Sequence, residues 1–491
     1  MFVDWYCRCM PETHHNYVGG EWTEASTGET FAVQNPADTD TVVARFQQSD
    51  ETDAKAAVAA ADAAAGEWAE TPGPDRGAVL NSVAKRLERR QDALTKLLSR
   101  EEGKTTDEAR PEVQRAIDIF YYYAQKAREF GGTVRPAGGD RRRLYTVKEP
   151  MGVAGVITPW NYPIAIPAWK IAPALATGNT VLFKPAPQAP GVGREIVKAV
   201  AEAGVPDGVI NLVTGPGESV GETFVTDERV DAVSFTGSST VGNHVYNLAT
   251  DAGKRAQTEM GGKNPVIVTE SADVAEAVAI VGNGAFGVTG QACTAGSRAI
   301  VDSSIADAFL DGIVEHAESI EVGAGTDGAD MGPQISQAEL EGTMEYIAVG
   351  QEEATLLTGG SQPAGATGQS GHFVEPTVFA NVTPEMRIAR EEIFGPVLSV
   401  LTVDGFDEAV EIANHVPYGL SASVVTDSHE QVHEFIQQIE SGVVKINEKT
   451  TGLELHVPFG GVKDSSSNTF REQGEAGLEF FTTTKTVYEN Y

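Results

Sequence analysis

Cysteine is scarce in this sequence, which has three among 491 residues, and Cys7 and Cys9 both lie within the first ten. The body of the chain therefore contains one cysteine, Cys293, and cannot form an internal disulfide. Such scarcity is typical of a reducing compartment. The first nine residues also lack the basic and apolar pattern of a signal peptide. Both features predict a cytoplasmic protein.

Basic residues are also few: 36 Lys and Arg stand against 70 Asp and Glu, for a formal net charge of −34. Such an excess of negative charge argues against nucleic acid as a partner, because phosphates would be repelled. The acidic residues are spread along the chain, which predicts a uniformly acidic surface. Salt screens the self-repulsion of such a surface, so the size of the excess favours a halophile over an ordinary acidic enzyme.

Long apolar runs are missing as well. No stretch reaches the roughly 20 apolar residues that cross a bilayer, so no membrane partner is expected. The hydrophobic fraction of 41% is nevertheless enough for large cores. The length predicts about three domains.

One stretch resembles a metal motif. His429, Glu430 and His433 match the His-Glu-x-x-His pattern of zinc proteases. The same stretch has Val432 and Phe435 at the spacing of an ordinary amphipathic helix, and no other histidine or cysteine lies nearby. We therefore predict a surface helix and no metal site.

Apolar periodicity predicts helices in the first third of the chain and alternating strands and helices beyond it. The helices are expected at residues 53–68, 75–99 and 112–130. From Val153 onward, strands alternate with helices, which indicates βαβ units and a parallel sheet. The pattern restarts near Gly262 and predicts a second α/β domain. Residues 482–487 alternate like an exposed strand, which we expect to pair with another strand.

Cys293 lies among small polar residues between Gly290 and Gly296. A nucleophilic cysteine needs an approachable sulfur and nearby donors for its thiolate. The alternative is a small buried hydrophobe, which is the usual role of a lone structural cysteine. The flanking glycines leave open space, so Cys293 is a candidate nucleophile.

A second motif runs from Phe235 through Gly237 and Ser238 to Val241 and Gly242. It predicts a strand that ends in glycine directly before a helix. The start of a helix offers free N–H groups to a phosphate. The spacing is Gly-x-x-x-x-Gly, which differs from the usual dinucleotide fingerprint, so a plain turn is the alternative.

Four polar residues follow predicted strands or precede glycines. Asn161 lies between Pro159 and Pro163 and could donate to an oxyanion. Lys184 could reach ribose or phosphate oxygens, or could simply be solvated. Glu259 could act as a general base or only as a terminal charge. Glu392 could hold a ribose diol.

Taken together, these motifs resemble the aldehyde dehydrogenase superfamily in order and spacing. The resemblance runs from about Tyr17 to Tyr491 and includes Pro-Trp-Asn, Phe-Lys-Pro, Glu-Met-Gly-Gly-Lys, Gly-Gln-Ala-Cys and Glu-Ile-Phe-Gly-Pro. It implies that Cys293 attacks an aldehyde, that Asn161 holds the oxyanion and that Glu259 activates water against a thioester. We also count Lys184 among the candidate catalytic residues.

The resemblance also implies a nicotinamide cofactor. The implied cofactor-binding residues are Ile157, Thr158, Pro159, Trp160, Lys184, Ala186, Pro187, Gly217, Gly221, Phe235, Gly237, Ser238, Val241, Met260, Gly261, Glu392 and Phe394. Relatives that prefer NAD often carry a glutamate where this chain has Pro187. Its absence removes a charge that would repel the 2′-phosphate, so we expect NADP to be preferred and NAD to be usable.

The implied fold is α/β, with a Rossmann-type cofactor domain, an α/β catalytic domain and a β-arm for oligomerisation. The expected boundaries are a disordered or mis-annotated tail at 1–16, a cofactor domain at 17–130 and 147–260, a catalytic domain at 261–465 and an arm at 131–146 and 466–491. A dimer or tetramer is expected.

Residues 456–474 look most like 2-oxoglutarate semialdehyde (2,5-dioxopentanoate) dehydrogenases of pentose degradation, which implies an aldehyde with a distal carboxylate as substrate. Succinate semialdehyde dehydrogenases and other aldehyde dehydrogenases are alternatives. Two further alternatives are a non-catalytic binding protein on the same fold and a cysteine hydrolase. The presence of Cys293, Glu259 and Asn161 argues against the first, and the cofactor residues argue against the second.

Overall fold

The computed structural model describes residues 11–365, 368 and 370–491. Most of the tail predicted at residues 1–16 lies outside this range. Of its described part, Thr13 pairs with Arg45, and Asn16 begins the first strand.

The described chain alternates between helices and strands after a mainly helical first third. Its α-helices are α1 (Glu51–Glu70), α2 (Gly73–Arg89), α3 (Gln91–Glu102), α4 (Thr106–Glu129), α5 (Ala165–Ala176), α6 (Pro190–Glu202), α7 (Glu222–Thr226), α8 (Ser239–Asp251), α9 (Val274–Phe286), α10 (Ala306–Ser319), α11 (Gln337–Glu353), α12 (Arg387–Arg390), α13 (Phe406–Asn414), α14 (His429–Gln438) and α15 (Gly474–Phe480).

The strands are β1 (Asn16–Val18), β2 (Glu21–Thr23), β3 (Thr30–Asn35), β4 (Asp38–Gln47), β5 (Val134–Arg135), β6 (Arg142–Pro150), β7 (Val153–Ile157), β8 (Thr180–Lys184), β9 (Ile210–Leu212), β10 (Ala232–Thr236), β11 (Arg255–Glu259), β12 (Asn264–Val268), β13 (Gly296–Asp302), β14 (Thr355–Thr358), β15 (Thr377–Ala380), β16 (Val397–Val403), β17 (Tyr418–Gly419), β18 (Ser421–Val425), β19 (Val443–Ile446), β20 (Val462–Lys463) and β21 (Thr482–Asn490).

The first sheet has the order β11-β10-β7-β8-β9-β1-β2, and the strands from β11 to β9 run parallel. Side chains of one strand alternate between its two faces. Ala154 and Val156 of β7 pack into the core formed with α2, α4, α5 and α6. Val153 and Ile157 pack into a second core with α1, α7 and α8. Helices cover both faces, which explains why these strands are apolar throughout.

The second sheet has the order β14-β15-β16-β13-β12-β18-β19 and is parallel except for β14. It repeats the same layering. Ile300 of β13 belongs to the core on one face, and the adjacent Ala299 and Val301 belong to the core on the other. The restart of the α/β pattern near Gly262 therefore corresponds to a second sheet.

A third sheet pairs the end of the chain with an earlier segment. β21 lies antiparallel to β6 from Thr482 opposite Pro150 to Asn490 opposite Arg142, and β5 adds a short third strand. The strand predicted at residues 482–487 is thus present and paired.

The helix predicted at residues 75–99 is wrong as a single element, because it ends at Arg89 and a new helix begins at Gln91. Arg90 leaves helical geometry at φ −107° and ψ 7°. Leucines of both helices, such as Leu87 and Leu94, enter the same core, so the leucine spacing gives no sign of the break. The Arg90 guanidinium forms ion pairs with Glu202 at 2.6 Å and Glu195 at 3.4 Å on α6.

Candidate active site

Three candidate residues lie where parallel strands of the first sheet end, and a fourth strand ends beside the candidate Gly237. Ile157 ends β7, Lys184 ends β8 and Glu259 ends β11. Thr236 ends β10 and leads directly to Gly237 and the start of α8. In open parallel sheets, the carboxyl ends of adjacent strands form the crevice in which ligands bind. The first sheet therefore gathers these motifs at one edge.

Cys293 lies just before β13 of the second sheet, at the end of an irregular turn. Val288 and Thr289 adopt left-handed backbone geometry with φ of 53° and 57°, which is costly for β-branched residues. Gly290 follows at φ 68°, and a Cβ there would collide with the carbonyl of Gly395. The turn can lie this close to the main chain of Gly395 because residue 290 is a glycine.

The side chain of Asn264 fixes the loop that carries Cys293. Its Nδ2 donates to the main-chain oxygens of Cys293 and Ala295, both at 2.8 Å. Its Oδ1 accepts from the main-chain N–H of Ser421 at 3.0 Å. One amide thereby joins the start of β12, the cysteine loop and the start of β18.

Asn161 links the loop after β7 to the cysteine loop. Its Nδ2 donates to the main-chain oxygen of Gln291 at 2.9 Å, and its Oδ1 accepts from the N–H of Tyr162 at 3.1 Å. The Asn161 amide is thus held two residues from Cys293, with its donor group facing the cysteine loop.

A cavity of about 340 Å³ opens between the two sheets and contains the thiol of Cys293. It brings together ten of the predicted residues: Pro159, Trp160, Asn161, Gly237, Ser238, Met260, Gly261, Cys293, Glu392 and Phe394. Trp160 and Phe394 meet edge to face, with ring centroids 5.4 Å apart.

The other predicted residues do not line this cavity. Phe235 is buried in the core, where its ring packs against Gly237. Val241 is exposed on the first turn of α8. The rest lie along the edge of the first sheet or beside it: Ile157, Thr158, Lys184, Ala186, Pro187, Gly217, Gly221 and Glu259.

Lys184 is buried beside Ile157 and Gly221. A Cβ on Gly221 would lie 3.5 Å from Cδ of Lys184 and 3.8 Å from Cδ1 of Ile157. Its Nζ donates to the main-chain oxygen of Pro185 at 3.2 Å, and it forms no ion pair with any described residue. Burial lowers the pKa of Lys184 to about 8. This amine is therefore a cation that lacks a protein anion.

Glu392 lies over the glycine pair that follows Glu259. Its Oε1 accepts from the N–H of Gly262 at 2.9 Å, and a Cβ on Gly261 would collide with the other carboxylate oxygen. Burial raises the pKa of Glu392 to about 7. A larger residue at position 261 would therefore displace the Glu392 carboxylate.

Glu259 is enclosed by the residues that flank β20. Its Oε2 accepts from the N–H of Gly461 at 2.9 Å, and its Oε1 accepts from Oγ of Ser466 at 2.8 Å. Burial, together with the nearby carboxylate of Glu472, raises the pKa of Glu259 well above its usual value. Glu472 itself is buried and bonded to Nζ of Lys170 and Nε1 of Trp169.

The thiol of Cys293 is surrounded by acidic groups. Burial and the carboxylates of Glu392, Glu259 and Glu472 raise the pKa of Cys293 to about 12. The sulfur is therefore a protonated thiol at neutral pH in this arrangement. Glu259 and Glu392 are close enough to act on it electrostatically, which places all three in one site.

Sequence reasoning missed five residues of the cavity wall: Thr236, Glu339, Gly342, Tyr346 and Ile393. Thr236 lies within the motif from Phe235 to Gly242, and Ile393 lies within Glu-Ile-Phe-Gly-Pro, so the sequence did mark their surroundings. Glu339, Gly342 and Tyr346 share α11, whose sequence has no recognisable motif.

The zinc-like stretch forms α14, and both of its histidines are exposed on it while Phe435 is buried. Among the residues that the structure describes, no group of three or more His, Cys, Asp or Glu side chains could hold a metal ion. None of the described helices is long and apolar enough to cross a membrane.

Comparison with known sequences agrees with this site. Residues 22–487 match the aldehyde dehydrogenase family. The chain belongs to that family. It is 59% identical to an alpha-ketoglutarate semialdehyde dehydrogenase of Haloferax volcanii, over 98% of this chain and 100% of the relative. It is 42% identical to a 2,5-dioxopentanoate dehydrogenase of Saccharolobus solfataricus, over 96% and 99%.

Solved aldehyde dehydrogenase structures share the fold. A betaine aldehyde dehydrogenase of Staphylococcus aureus in complex with NAD⁺ has a TM-score of 0.94 and 34% identity, over 97% of this chain and 94% of that one. An NAD-dependent aldehyde dehydrogenase of Sinorhizobium meliloti has a TM-score of 0.94 and 36% identity, over 97% and 95%. The family and the α/β fold expected from the sequence motifs are confirmed.

Proposed function

We propose that this protein oxidises 2-oxoglutarate semialdehyde to 2-oxoglutarate through a thioester on Cys293, with NADP preferred over NAD. The observation that carries the proposal is that Cys293 and Asn161 line one cavity between the two sheets, while the buried Glu259 lies close enough to Cys293 to raise the pKa of its thiol. The relatives with alpha-ketoglutarate semialdehyde and 2,5-dioxopentanoate activities support the choice of substrate.

The first step is attack of the Cys293 sulfur on the aldehyde carbon. Its proton must leave, because burial among carboxylates holds it on the thiol, and Glu259 and Glu392 are the carboxylates that can accept it. The aldehyde oxygen then becomes an oxyanion. Nδ2 of Asn161 and the main-chain N–H of Cys293 donate to this oxyanion. Donors held ready for the charge that develops in the transition state lower the activation barrier of the reaction.

The residues fit a nicotinamide dinucleotide. Lys184 presents a buried cation without a protein anion, and Ser238 caps α8, whose first turn has free N–H groups beside Gly237. Lys184 and Ser238 would hold the ribose and phosphate portion, and Glu392 would hold the second ribose. When bound, the nicotinamide ring accepts the hydride. The aromatic pair Trp160 and Phe394 forms part of the same cavity wall.

Glu259 completes the cycle by accepting a proton from a water molecule, which attacks the thioester and releases the acid. A carboxylate with an ordinary pKa would be a weak base for this step. Burial and Glu472 raise the pKa of Glu259, which strengthens it as a base once it is ionised.

Arg115 is the cation best placed to bind a distal carboxylate of the substrate. It lies on α4, donates to Oε1 of Gln473 at 2.8 Å and to the main-chain oxygen of Leu453, and forms no ion pair with any described residue. Tyr162 lies close enough to both Arg115 and Cys293 to interact electrostatically with each of them. Glu454 and Asp118 act on the half-buried Arg115 guanidinium electrostatically, but neither forms an ion pair with it.

The test is a panel of short aldehydes of matched length, with and without a distal carboxylate, assayed with NAD and NADP. Replacement Arg115→Met should lower kcat/KM for the carboxylated aldehydes about ten- to a hundredfold, since a charged hydrogen bond contributes about 1.5–3 kcal/mol. Uncharged aldehydes should change by less than about threefold. Arg110→Met is the matched control, because Arg110 is exposed on the same helix and pairs with Asp92.

Wild-type turnover that requires aldehyde and nicotinamide together supports the activity and excludes a hydrolase or a binding protein. Equal losses on both aldehyde classes in Arg115→Met would contradict the role of Arg115 alone. Faster turnover of succinate semialdehyde than of 2-oxoglutarate semialdehyde would contradict the proposed substrate. The proposed oxidation through a thioester would still stand.

The wider setting is part of the same proposal. The scattered acidity supports a halophilic, cytoplasmic enzyme, and the Haloferax relative supports it further. The sheet of β5, β6 and β21 exposes Val134 and Tyr488 at 74% and 68%, which supports an arm that joins subunits in a dimer or tetramer. We also propose the domain boundaries expected from the sequence: a cofactor domain at 17–130 and 147–260, a catalytic domain at 261–465 and an arm at 131–146 and 466–491. Light scattering in molar KCl measures the oligomeric state.

A further inference from the structure

A buried charged cluster lies beneath the loop that carries Asn161, and the chemistry above does not use it. It consists of Glu102, Lys104 and Glu112, all almost fully buried. Nζ of Lys104 lies 2.6 Å from Oε2 of Glu112 and 3.7 Å from Oε2 of Glu102. Buried charges are costly unless they are paired and hydrogen-bonded, so a cluster of this kind is weak evidence of a purely stabilising role.

Lys104 bonds directly to the residue that donates to the oxyanion. Its Nζ donates to the main-chain oxygen of Asn161 at 2.8 Å and lies 4.4 Å from the ring centroid of Tyr162. Burial alone would lower the pKa of Lys104, but the carboxylates of Glu102 and Glu112 raise it above its usual value. The amine is therefore charged, and its bond to the carbonyl is charge-assisted.

Glu112 holds the other end of the same loop. Its Oε1 accepts from the main-chain N–H groups of Ile164 at 3.1 Å and Ala165 at 3.2 Å, where α5 begins. The Lys104–Glu112 pair thus fixes the backbone on both sides of Tyr162. The side chain of Asn161 is anchored separately, through Gln291.

We propose that Lys104 is a positioning residue that, with Glu112, holds the Asn161 amide at the oxyanion of the reacting aldehyde. This inference rests on the proposed function. A donor must lie within a few tenths of an ångström of its place, and displacement by about 1 Å can cost about a hundredfold in rate. The pair meets this need because it bonds to the main chain around Tyr162 and not to the Asn161 amide, which has a second N–H to donate besides the one that donates to Gln291.

The test uses the full-length enzyme and the variant Lys104→Met, with Lys126→Met on α4 as control. Lys126 pairs with the exposed Glu475 and is remote from the loop. Three quantities are measured: the rate of the first burst of cofactor reduction, the dissociation constant of the cofactor, and the rate of iodoacetamide alkylation of Cys293, followed by mass spectrometry of its peptide. Alkylation needs the thiol but no oxyanion donor. Its rate should therefore change if the site as a whole is disrupted, and should not change if only the position of the Asn161 amide is lost.

Lys104→Met should slow the burst about ten- to a hundredfold and change alkylation and cofactor binding by less than about twofold. Lys126→Met should leave all three unchanged. If loss of the cation prevents folding, Lys104→Met with Glu112→Gln removes both charges; it should restore the melting temperature but not the burst rate. A wild-type burst rate in a folded variant, or equal losses in all three quantities, overturns the proposal. Failure of the wild type to oxidise aldehydes would instead overturn the proposed function.

Discussion

The side-chain amide of Asn161 lies 2.9 Å from the main-chain oxygen of Gln291, and this hydrogen bond joins segments 130 positions apart. Asn161 follows a strand of the first sheet, and Gln291 belongs to the loop before a strand of the second. The bond therefore fixes the proposed oxyanion donor relative to the proposed nucleophile across the cleft.

Replacement Cys293→Ala should abolish aldehyde oxidation, because the body of the chain has no other thiol to form the thioester. Cofactor binding should remain, since the proposed ribose and phosphate residues Lys184, Ser238 and Glu392 are all retained. Cofactor fluorescence titration and steady-state assays measure the two effects. The double variant Cys7→Ala, Cys9→Ala is the control and should keep full activity. Normal turnover by Cys293→Ala would end the assignment of the nucleophile.

Replacement Glu259→Gln should keep the first burst of reduced cofactor, close to one per site, and stall the steady rate, because water is no longer activated. In the wild type, the steady rate should rise with pH, since Glu259 acts as a base only when ionised and its pKa is raised. Stopped-flow absorbance measures both phases. Glu270→Gln, at an exposed position, is the control. An unaffected steady rate in Glu259→Gln would show that another group is the base.

Activity and melting temperature should both rise with KCl into the molar range. A net charge of −34 repels itself at low ionic strength, and salt shortens the Debye length from about 10 Å at 0.1 M to about 3 Å at 1 M. Sucrose at equal osmolality is the control for exclusion effects. Full activity and stability in dilute buffer would remove the high-salt interpretation.

Cofactor preference should depend on Pro187, which is exposed near the buried cation of Lys184. Wild type should have the higher kcat/KM with NADP. Pro187→Glu should swing the ratio towards NAD about ten- to a hundredfold, because a carboxylate accepts from ribose hydroxyls and repels a 2′-phosphate. Pro187→Ala separates the loss of proline from the added charge. A wild type that prefers NAD tenfold or more would contradict the argument.

Glu102 should make folding stability fall as pH rises. Burial raises the pKa of Glu102 to about 8, with the Glu112 carboxylate adding to the effect and Lys104 opposing it. A folded-state pKa above the unfolded value gives a contribution that is complete below about pH 4.5 and is lost as pH rises towards 8. Relative to Glu102→Gln, the wild type should lose unfolding free energy on the order of a few kcal/mol across this range.

Urea unfolding in molar KCl at several pH values between 5 and 8 measures this difference. Glu67→Gln replaces an exposed carboxylate and should show no such trend relative to wild type. Parallel pH profiles for wild type and Glu102→Gln would mean that Glu102 ionises at its ordinary pKa.

The sequence by itself determined the residue types proposed to carry the chemistry. It also determined the alternation of strands and helices that forms two mainly parallel sheets. A lone cysteine between glycines, and Lys184 and Glu259 at strand ends, are local patterns that arise from backbone propensity and side-chain period. The same locality explains the failures. The break at Arg90 leaves leucine spacing intact, and Tyr346 faces the cavity from a helix without a motif.

Only the tertiary structure decided how these groups are held. Gly461 and Ser466 bond to Glu259 from about 200 positions away, and Lys104 reaches the main chain of Asn161 through a buried cluster. Such contacts depend on the packing of distant elements, and no periodicity along the chain encodes them. The shifts in pKa at Cys293, Glu259 and Glu392 have the same origin, because burial and neighbouring charge exist only once the two sheets come together.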